Sequence, residues 1–410
     1  MEIRPILSAL VRSKTGALLI IAQVALTLAI LGNALPIVLQ RLEVSARPTG
    51  TDEANVFYTR LFGFKPDIDV PTMVADDYAL IRAIPGVEAV ARTNQAPLFQ
   101  SGWNLSFGAL REGNAEPVDV TNAAFYYTDG SLVDSLGLAL IEGRDFRDDD
   151  YEQINSGLAD IRPKQVMLTR AMAEKLFPDE SRFVGRSVFL GSGADAQEMR
   201  VIGVVEKMQS PWAQNSEMAE LSVIVPIFDL QPSAAYVVRT APGELDRVMR
   251  DVEAALTTAR DDRVHIDTRS VAEARASRYR ADRALAWLLL SLTGLLVLVT
   301  ASGIVGMASL WVNQRRKQIG IRRAVGARRV DILRYFLVEN LMVTSAGIAL
   351  GLVLAFALNH LLVQQLSIAR MPLGPLGWGM LGLWLLGLLA ALGPALRASR
   401  VPPAVATRTA

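Results

Sequence analysis

Four stretches of this chain run for 26 residues or more without a charged side chain, and they are unevenly spaced. A helix rises about 1.5 Å per residue, so about 20 apolar residues cross a bilayer core of roughly 30 Å. Each stretch is therefore long enough to span a membrane as a helix. A segment of 243 residues separates the first stretch from the other three; the stretches are Thr15–Gln40, Ala284–Gln314, Asn340–Ala369 and Met371–Leu396.

Charge is divided between two parts of the chain. Residues 41–283 carry 27 Lys and Arg against 38 Asp and Glu, a net charge of −11, whereas the remainder carries 15 against 3, a net charge of +12. Such segregation indicates that the two parts face different surroundings. The basic part borders the apolar stretches, so no nucleic-acid partner is predicted. A mean hydropathy of +0.28 also makes the chain too apolar for an ordinary soluble enzyme.

The chain offers few groups for catalysis or metal binding. It has no cysteine and only two histidines, His265 and His360. No paired carboxylates or nucleophile–histidine arrangement is evident, so neither an enzyme activity nor a directly bound cofactor or metal is predicted. Asp145 and Asp148–Asp150 could suit a hard cation, but the arginines among them and the absence of EF-hand spacing favour a solvated turn. His265 is expected to be structural or at the surface.

The basic loops predict the topology. Eight Lys and Arg residues lie between the second and third stretches, opposed only by Asp331 and Glu339, whereas the loop before the fourth stretch has only Arg370. Lys- and Arg-rich short loops stay in the cytoplasm. Four spans with both termini in the cytoplasm satisfy these biases and put residues 41–283 outside the cytoplasm. A cleaved signal peptide is the alternative for Thr15–Gln40, but its apolar region is longer than the usual 7–15 residues.

The predicted fold is an α-helical membrane protein with a large extracytoplasmic α+β domain. Strand–helix–strand patterns at both ends of residues 41–283 predict one lobe from about 41–97 and 231–269, with a second lobe inserted at about 98–230 and a helical stalk at 270–283. The predicted organisation is a cytoplasmic segment 1–14, spans 15–40, 284–312, 337–363 and 372–396, a cytoplasmic elbow 313–336, an outer loop 364–371 and a cytoplasmic tail 397–410.

The elbow is the most informative local sequence. Ile321 and Val325 lie four residues apart, on one face of a predicted helix, with arginines around them. Gly326 is expected to end this helix, and Asp331 falls in the first turn of the next, where a carboxylate suits the helix dipole. Such a segment would form a compact cytoplasmic knob. The alternative is a positively charged loop that only sets topology, and charge alone does not separate the two.

At the elbow the sequence resembles the FtsX-like, MacB-type ABC transporter permeases. The residues that match the family's signature are Gln318, Ile319, Gly320, Ile321, Arg322, Arg323, Ala324, Val325, Gly326 and Ala327. The family usually has Glu at the position of Gln318. Fragments of the outer domain, such as Ile84–Val90 and Gly143–Phe146, also resemble the family in the same order, and residues 284–400 would form the FtsX-like domain.

The resemblance implies a porter-like lobe and an inserted lobe on a stalk, and a permease that pairs with a second permease, either a copy of itself or a sister chain. It implies that the knob, residues 318–327, docks on a cytoplasmic ABC ATPase, whose ATP-driven motion reshapes the outer domain. A periplasmic adaptor is a further partner to consider. The sequence contains no G-x-x-x-x-G-K-[ST] phosphate-binding loop, so ATP is expected to be used by a separate polypeptide.

Two pairs of small residues in the apolar stretches have the spacing that lets membrane helices approach closely. They are Gly347 with Gly351 and Gly387 with Ala391. Ordinary glycine frequency in membrane helices is the alternative explanation. The scarcity of ionisable residues within the stretches argues against an ion channel or proton-coupled transporter.

Several functions remain open from the sequence. The leading hypothesis is an export or extraction permease that transmits motion, with macrolides, peptides or lipoproteins as substrate classes within the family. The rival is a membrane-anchored regulator of an extracytoplasmic partner, such as a cell-wall hydrolase.

Overall fold

The computed structural model describes residues 14–65, 67–99, 102–111, 116–154, 162–193, 195–366 and 372–402. Its elements in chain order are α1 (Lys14–Ala46), β1 (Val56–Gly63), α2 (Val70–Ala83), β2 (Val87–Thr93), β3 (Asn104–Ala109), β4 (Val118–Thr128), α3 (Leu132–Leu136), β5 (Leu140–Gly143), β6 (Glu152–Ile154), β7 (Gln165–Thr169), α4 (Arg170–Leu176), β8 (Ser187–Leu190), β9 (Gln197–Val205), β10 (Ser222–Asp229), β11 (Ala234–Thr240), α5 (Leu245–Ala259), β12 (Arg263–Ser270), α6 (Val271–Arg278), α7 (Arg280–Gln314), α8 (Arg316–Ala324), α9 (Arg329–Leu366) and α10 (Leu373–Ser399). Most of the predicted N-terminal segment, the greater part of the outer loop and the end of the tail lie outside these residues.

The chain divides into a helical unit and a β-rich unit. The helical unit comprises the residues up to Ser45 and those from Asp282 onward, and the β-rich unit comprises Ala46–Ala281. Within the described residues, four helices are long and apolar enough to cross a membrane, namely α1, α7, α9 and α10. Each of them contains most of one of the charge-free stretches of the sequence.

Helix α1 lies deeper in the helical unit than α7 does. Half of the most apolar window of α1 is buried, compared with 11% of that of α7. The buried side chains are aliphatic and small, as expected for helices that pack closely; they include Ala17, Ile20, Val24, Leu28, Ile304, Val343, Ile348, Ala355, Leu383 and Ala391. Helix α7 therefore leaves most of its apolar surface available for lipid or another chain.

Polar side chains of α1 tie it to its neighbours. The hydroxyl oxygens of Thr27 and Thr300 lie 2.8 Å apart, and Gln23 donates to the carbonyl of Val299 at 3.1 Å. On the α9 side, the amide of Asn33 donates to the carbonyl of Ala355 at 3.1 Å. Each such bond satisfies a polar group that the apolar interior would otherwise leave unpaired.

The β-rich unit is built on one twelve-stranded sheet within the described residues, in the order β12-β1-β11-β2-β4-β3-β8-β9-β7-β10-β6, with β5 paired to β9. Strands from the two ends of the unit lie side by side, since β1 pairs antiparallel with both β11 and β12. Helices α2 and α5 cover this end of the sheet over a core that includes Phe57, Leu61, Ile81, Tyr236, Val238, Val248, Val252 and Leu256. The strands between β2 and β11 enclose a second core, which contains Phe107, Phe125, Leu168, Val188, Val204 and Val225.

The two parts of the sheet meet at a narrow joint. Strands β2 and β4 pair only at Thr93 and Thr128. Beside them the buried Arg92 donates to the carboxylate of Asp129 at 3.2 Å and to the backbone carbonyl of Asp229 at 2.8 Å. A buried guanidinium needs such partners to offset its desolvation. Polar contacts therefore hold the joint where few backbone bonds do.

The predicted stalk consists of two consecutive helices instead of one. Helix α6 ends at Arg278 and α7 begins at Arg280. Tyr279 between them is fully buried and its hydroxyl accepts a hydrogen bond from Gln209 at 2.8 Å. The helix is therefore broken at Tyr279, within residues 270–283.

Candidate coupling elbow

The segment that joins α7 to α9 folds as a short helix and a tight turn. Helix α8 ends at a Schellman motif, in which the backbone N–H of Gly326 donates to the carbonyl of Arg323 at 3.2 Å and that of Ala327 to Arg322 at 3.0 Å. Gly326 has a φ of +104°, a conformation that costs other residues free energy. The prediction that Gly326 ends the helix is confirmed.

Asp331 lies in the first turn of the next helix, as the sequence predicted. It lies in the first turn of α9, and its carboxylate accepts a hydrogen bond from the backbone N–H of Arg328 at 2.9 Å. The carboxylate satisfies a donor that the helix itself leaves unpaired and is favoured by the helix dipole. The cap and the preceding turn together fix the angle between α8 and α9.

One face of α8 is buried in a small apolar cluster. Ile319 is 4% exposed and packs with Ile332 and Phe336 of α9. The cluster also takes in Val312 of α7 and residues at the end of α10 and beyond it, namely Ala395, Ala398 and Val401. Full burial of an aliphatic side chain is worth about 1.5–3 kcal/mol. The elbow is therefore packed against the ends of three long helices.

The opposite face of the elbow is exposed and apolar at its centre. Ile321 is 50% exposed and Val325 is 84% exposed, and Val330 in the first turn of α9 is 67% exposed. Basic side chains border them, among them Arg316, Arg322, Arg328 and Arg329. An apolar surface surrounded by positive charge suits a protein partner with apolar and acidic side chains.

The remaining signature residues fall on both faces. Gly320 is buried beside Ile319, and Arg323 and Ala327 are half-buried. Gln318 and Ala324 are exposed. The guanidinium of Arg322 lies over the ring of Tyr335, 5.0 Å from its centre. The signature thus combines residues that fix the elbow with residues that face outward.

An ion pair that sequence reasoning missed locks the elbow to α9. Arg315, which precedes α8, donates to both carboxylate oxygens of Glu339, at 2.8 and 2.9 Å. Glu339 is completely buried, and the side chain of Arg315 is 15% exposed. The sequence offered a weak signal, since Glu339 is the one acidic residue after Asp331 in the basic part of the chain.

The predicted packing glycines lie at helix contacts. A Cβ atom on Gly347 would come within 2.7 Å of the Val24 Cβ, and one on Gly351 within 3.0 Å of the Ala25 backbone. Both contacts bring α9 close to α1. Gly387 of α10 lies against Thr344 of α9, and Ala391 is buried in the core of the bundle.

The acidic cluster of the β-rich unit is engaged by arginine and backbone groups. Asp150 accepts hydrogen bonds from Arg144 at 2.6 Å and from the backbone of Arg147 at 2.8 Å, and these bonds hold its pKa below the ordinary value. Asp145 accepts a hydrogen bond from Ser131, while Asp148 and Asp149 are exposed.

His265 lies in β12, 2.7 Å from the Thr268 hydroxyl. No group of three metal-binding side chains occurs among the residues that the structure describes.

Four long apolar helices joined to a large β-rich unit define this chain as a multi-span membrane protein of the permease type. Residues 20–255 match the MacB-like periplasmic core domain and residues 290–403 match the FtsX-like permease C-terminal domain. The chain therefore belongs to the family of MacB-type permeases with an FtsX-like domain, as its signature predicted.

Relatives in several bacteria are named macrolide export ATP-binding/permease protein MacB. The protein of Chromobacterium violaceum is 26% identical over 363 residues, which cover 87% of this chain and 52% of that protein. The protein of Hyphomonas neptunium is 30% identical over 253 residues, or 60% of this chain and 38% of that protein. The chain thus spans about half the length of the relatives it matches, or less.

Two solved structures are also similar to parts of the chain. One is the extracellular domain of the ABC-type transporter YknZ from Gram-positive bacteria, with 17% identity and a TM-score of 0.31, covering 51% of this chain and all of that one. The other is a permease domain from Porphyromonas gingivalis, with 17% identity and a TM-score of 0.29, covering 52% of this chain and 89% of that one.

Proposed function

We propose that this chain is the permease subunit of a MacB/FtsX-type ABC transporter. In this role it transmits motion from a cytoplasmic ABC ATPase to its extracytoplasmic domain, which exports or extracts a substrate. Family membership supports the class, and the exposed apolar face of the elbow, centred on Ile321 and Val325, carries the mechanism. The names of these relatives combine ATP binding with macrolide export, which makes export the favoured direction of transport.

The elbow has the properties that a mechanical coupling needs. One face presents Ile321 and Val325 to solvent, where an apolar groove of the ATPase could cover them. The other face is fixed to α9 by Ile319, Ile332 and the Arg315–Glu339 pair. Because packed interiors transmit displacement instead of absorbing it, a push on the outer face would move α7 and α9 with the elbow.

At the other end of α7, Tyr279 would pass such motion into the β-rich unit. Its ring is buried and its hydroxyl is bonded to Gln209, so α6 is anchored in that unit. In this proposal residues 270–283 act as the stalk, and residues 41–283 lie outside the cytoplasm of a bacterial inner membrane with both chain termini inside. The exposed surface of α7 is available to a second permease, a copy of this chain or a sister chain.

The test is the ATPase activity that co-purifies with the full chain in a neutral detergent. Val325→Asp puts a charge into the proposed docking face, so we expect it to reduce the co-purified ABC ATPase and its hydrolysis rate at least tenfold. Ile321→Asp should act in the same way. Val184→Asp makes the same change at an exposed position of the β-rich unit and should leave both quantities unchanged.

The outcomes separate the proposal from its rival. Equal ATPase recovery in the Val325→Asp, Ile321→Asp and Val184→Asp variants would remove the elbow from the mechanism. Recovery of a cell-wall hydrolase with no ABC ATPase, in wild type and all variants alike, would favour a membrane-anchored regulator. Normal thermal stability of each variant shows that the substitutions act on docking and not on folding.

A further inference from the structure

The β-rich unit contains a polar cavity of about 180 Å³ that the coupling mechanism does not use. Strands β1 and β12 form its floor, the loop after β2 forms one wall and α6 forms another. Its lining residues are Tyr58, Arg60, Leu98, Phe99, Asp267, Arg269, Ala274, Ser277 and Arg278. The cavity is smaller than the roughly 300–1,000 Å³ that a drug-sized ligand occupies. It therefore suits a small ligand or the head group of a larger one.

The charges that face this cavity are predominantly positive. Asp267 accepts a hydrogen bond from Arg60 and forms an ion pair with Arg269 at an N–O distance of 3.0 Å, although its Oδ2 atom has no hydrogen-bond partner. Arg278 adds a third guanidinium, and its Nε atom is buried without a hydrogen-bond partner. Buried polar atoms nearly always have partners. Three guanidiniums against one carboxylate therefore leave an excess charge of about +2 by formal count.

The cavity wall is rigid and partly aromatic. The rings of Tyr58 and Phe99 meet edge to face with centres 4.4 Å apart, and the guanidinium of Arg60 lies 5.1 Å from the centre of the Phe99 ring. These contacts hold Arg60 in one orientation before any ligand arrives. Burial and the nearby Asp267 carboxylate raise the pKa of Tyr58 to about 12.

A strained residue completes the wall. Leu98 has a φ of +66° and is 2% exposed. Left-handed backbone is unfavourable for a leucine and persists where its surroundings impose it, often at binding sites. Leu98 and Phe99 both line the cavity.

We propose that this cavity binds a small oxyanion, a phosphate or carboxylate group, held by Arg278 together with Arg60 and Arg269. Guanidinium groups match such oxyanions because their fork of N–H donors fits two oxygens at once. The site is independent of the coupling elbow and of the proposed transport function. A ligand in this cavity would contact α6, the helix that the buried Tyr279 follows directly.

The same strands suggest where the oxyanion comes from. Side chains alternate between the two faces of a strand, so Phe62 lies on the same face of β1 as Tyr58 and Arg60. Phe62 pairs with Val264 of β12, and both side chains are more than half exposed. This apolar surface next to a cationic cavity favours an anion that carries an acyl chain over a free ion.

The test measures binding to the full chain in a neutral detergent by calorimetry at constant ionic strength. The probes are inorganic phosphate and dihexanoyl phosphatidic acid. We expect saturable binding, with the lipid at least tenfold tighter; equal affinities per phosphate group would assign the cavity to free phosphate. Absence of saturable binding by both probes would overturn the proposal.

Three variants locate the site. Arg278→Gln should weaken binding at least tenfold, whereas Arg182→Gln, at an exposed position of the loop between α4 and β8, should leave it unchanged. Asp267→Asn removes the competing carboxylate and should tighten binding. Wild-type affinity in Arg278→Gln, or weaker binding in an Asp267→Asn variant with a wild-type unfolding midpoint, would contradict the assignment.

Discussion

At the scale of single residues, the buried Arg315–Glu339 pair is the contact on which the elbow most depends. Glu339 is fully buried and Arg315 supplies both of its observed hydrogen bonds. Removal of one member of a buried pair leaves the other charge uncompensated and commonly costs about 3–5 kcal/mol. The residues are 24 positions apart, with Arg315 in the turn between α7 and α8 and Glu339 in α9, so no local sequence pattern could have paired them.

We predict that Arg315→Ala destabilises the full chain by about 3 kcal/mol, measured as a lower unfolding midpoint in detergent. Arg316→Ala is the matched control because Arg316 is the exposed neighbour of Arg315. It should change the unfolding free energy by less than about 0.5 kcal/mol. Equal midpoints for the two variants would show that the pair does not stabilise the elbow.

A second residue-scale prediction concerns Asp150 and pH. Hydrogen bonds from Arg144 and Arg147 lower the pKa of Asp150 in the folded chain. The unfolded chain then binds the proton more readily, so the stabilisation is present above about pH 4 and is lost as pH falls through the lowered pKa. Asp150→Asn should lower the unfolding midpoint at pH 7 and reduce its fall between pH 4 and pH 2.

Asp148→Asn, at an exposed position of the same turn, is the control and should follow the wild-type pH curve. An Asp150→Asn curve parallel to that of the wild type would mean that the Arg144 contact contributes no pH-dependent stability.

At the scale of elements, close approach of α9 to α1 sets which glycines matter. Gly351→Ala would bring the new Cβ to about 3.0 Å of the Ala25 backbone and within 2.9 Å of the Leu28 Cβ. Overpacking of this kind costs about 1–3 kcal/mol, so we expect a lower unfolding midpoint. Gly382→Ala in α10 meets no atom within 4 Å and should leave the midpoint equal or higher. A Gly351→Ala midpoint at or above that of Gly382→Ala would refute close packing at this crossing.

Local pattern predicted some elements well and others poorly. Strand β2 and helix α5 belong to the strand–helix–strand patterns predicted at the two ends of residues 41–283, and α5 in particular has a strong hydrophobic period. Strand β4 was not predicted. It is the longest strand described, but small and polar residues such as Thr121 and Asn122 interrupt its apolar alternation. Its place in the sheet comes from pairing with β3 and β10, which a local pattern does not contain.

The elbow was predictable to a similar degree. Gly326 and Asp331 act locally, so composition was enough to predict the turn and the helix start. The exposure of Ile321 and Val325 depends on Ile319 taking the buried face against Ile332 and Phe336. Tertiary packing decides which face of α8 is buried. The resemblance to the permease family singled out the same segment without showing which of its faces is free.

At the scale of the whole molecule, the distribution of charge and hydropathy was enough to predict the overall organisation. Residues 41–283 carry a net charge of −11 and the remainder a net charge of +12. Together with the four apolar stretches, this segregation of charge predicted a membrane protein with a large outer domain. The four candidate helices and the family match agree with that outline. The order of the lobes and the side of the membrane that each unit faces remain predictions.

Single-cysteine labelling in intact cells tests the central claim most directly, because the natural chain has no cysteine. In the proposed topology the β-rich unit lies outside the cytoplasm and the elbow lies inside. A membrane-impermeant maleimide should therefore label Glu174→Cys in intact spheroplasts and Val325→Cys only after lysis. Both positions are exposed in the structure, so access is not limited by burial. Labelling of both cysteines from the same side of the membrane would contradict the proposed transmission of motion across it.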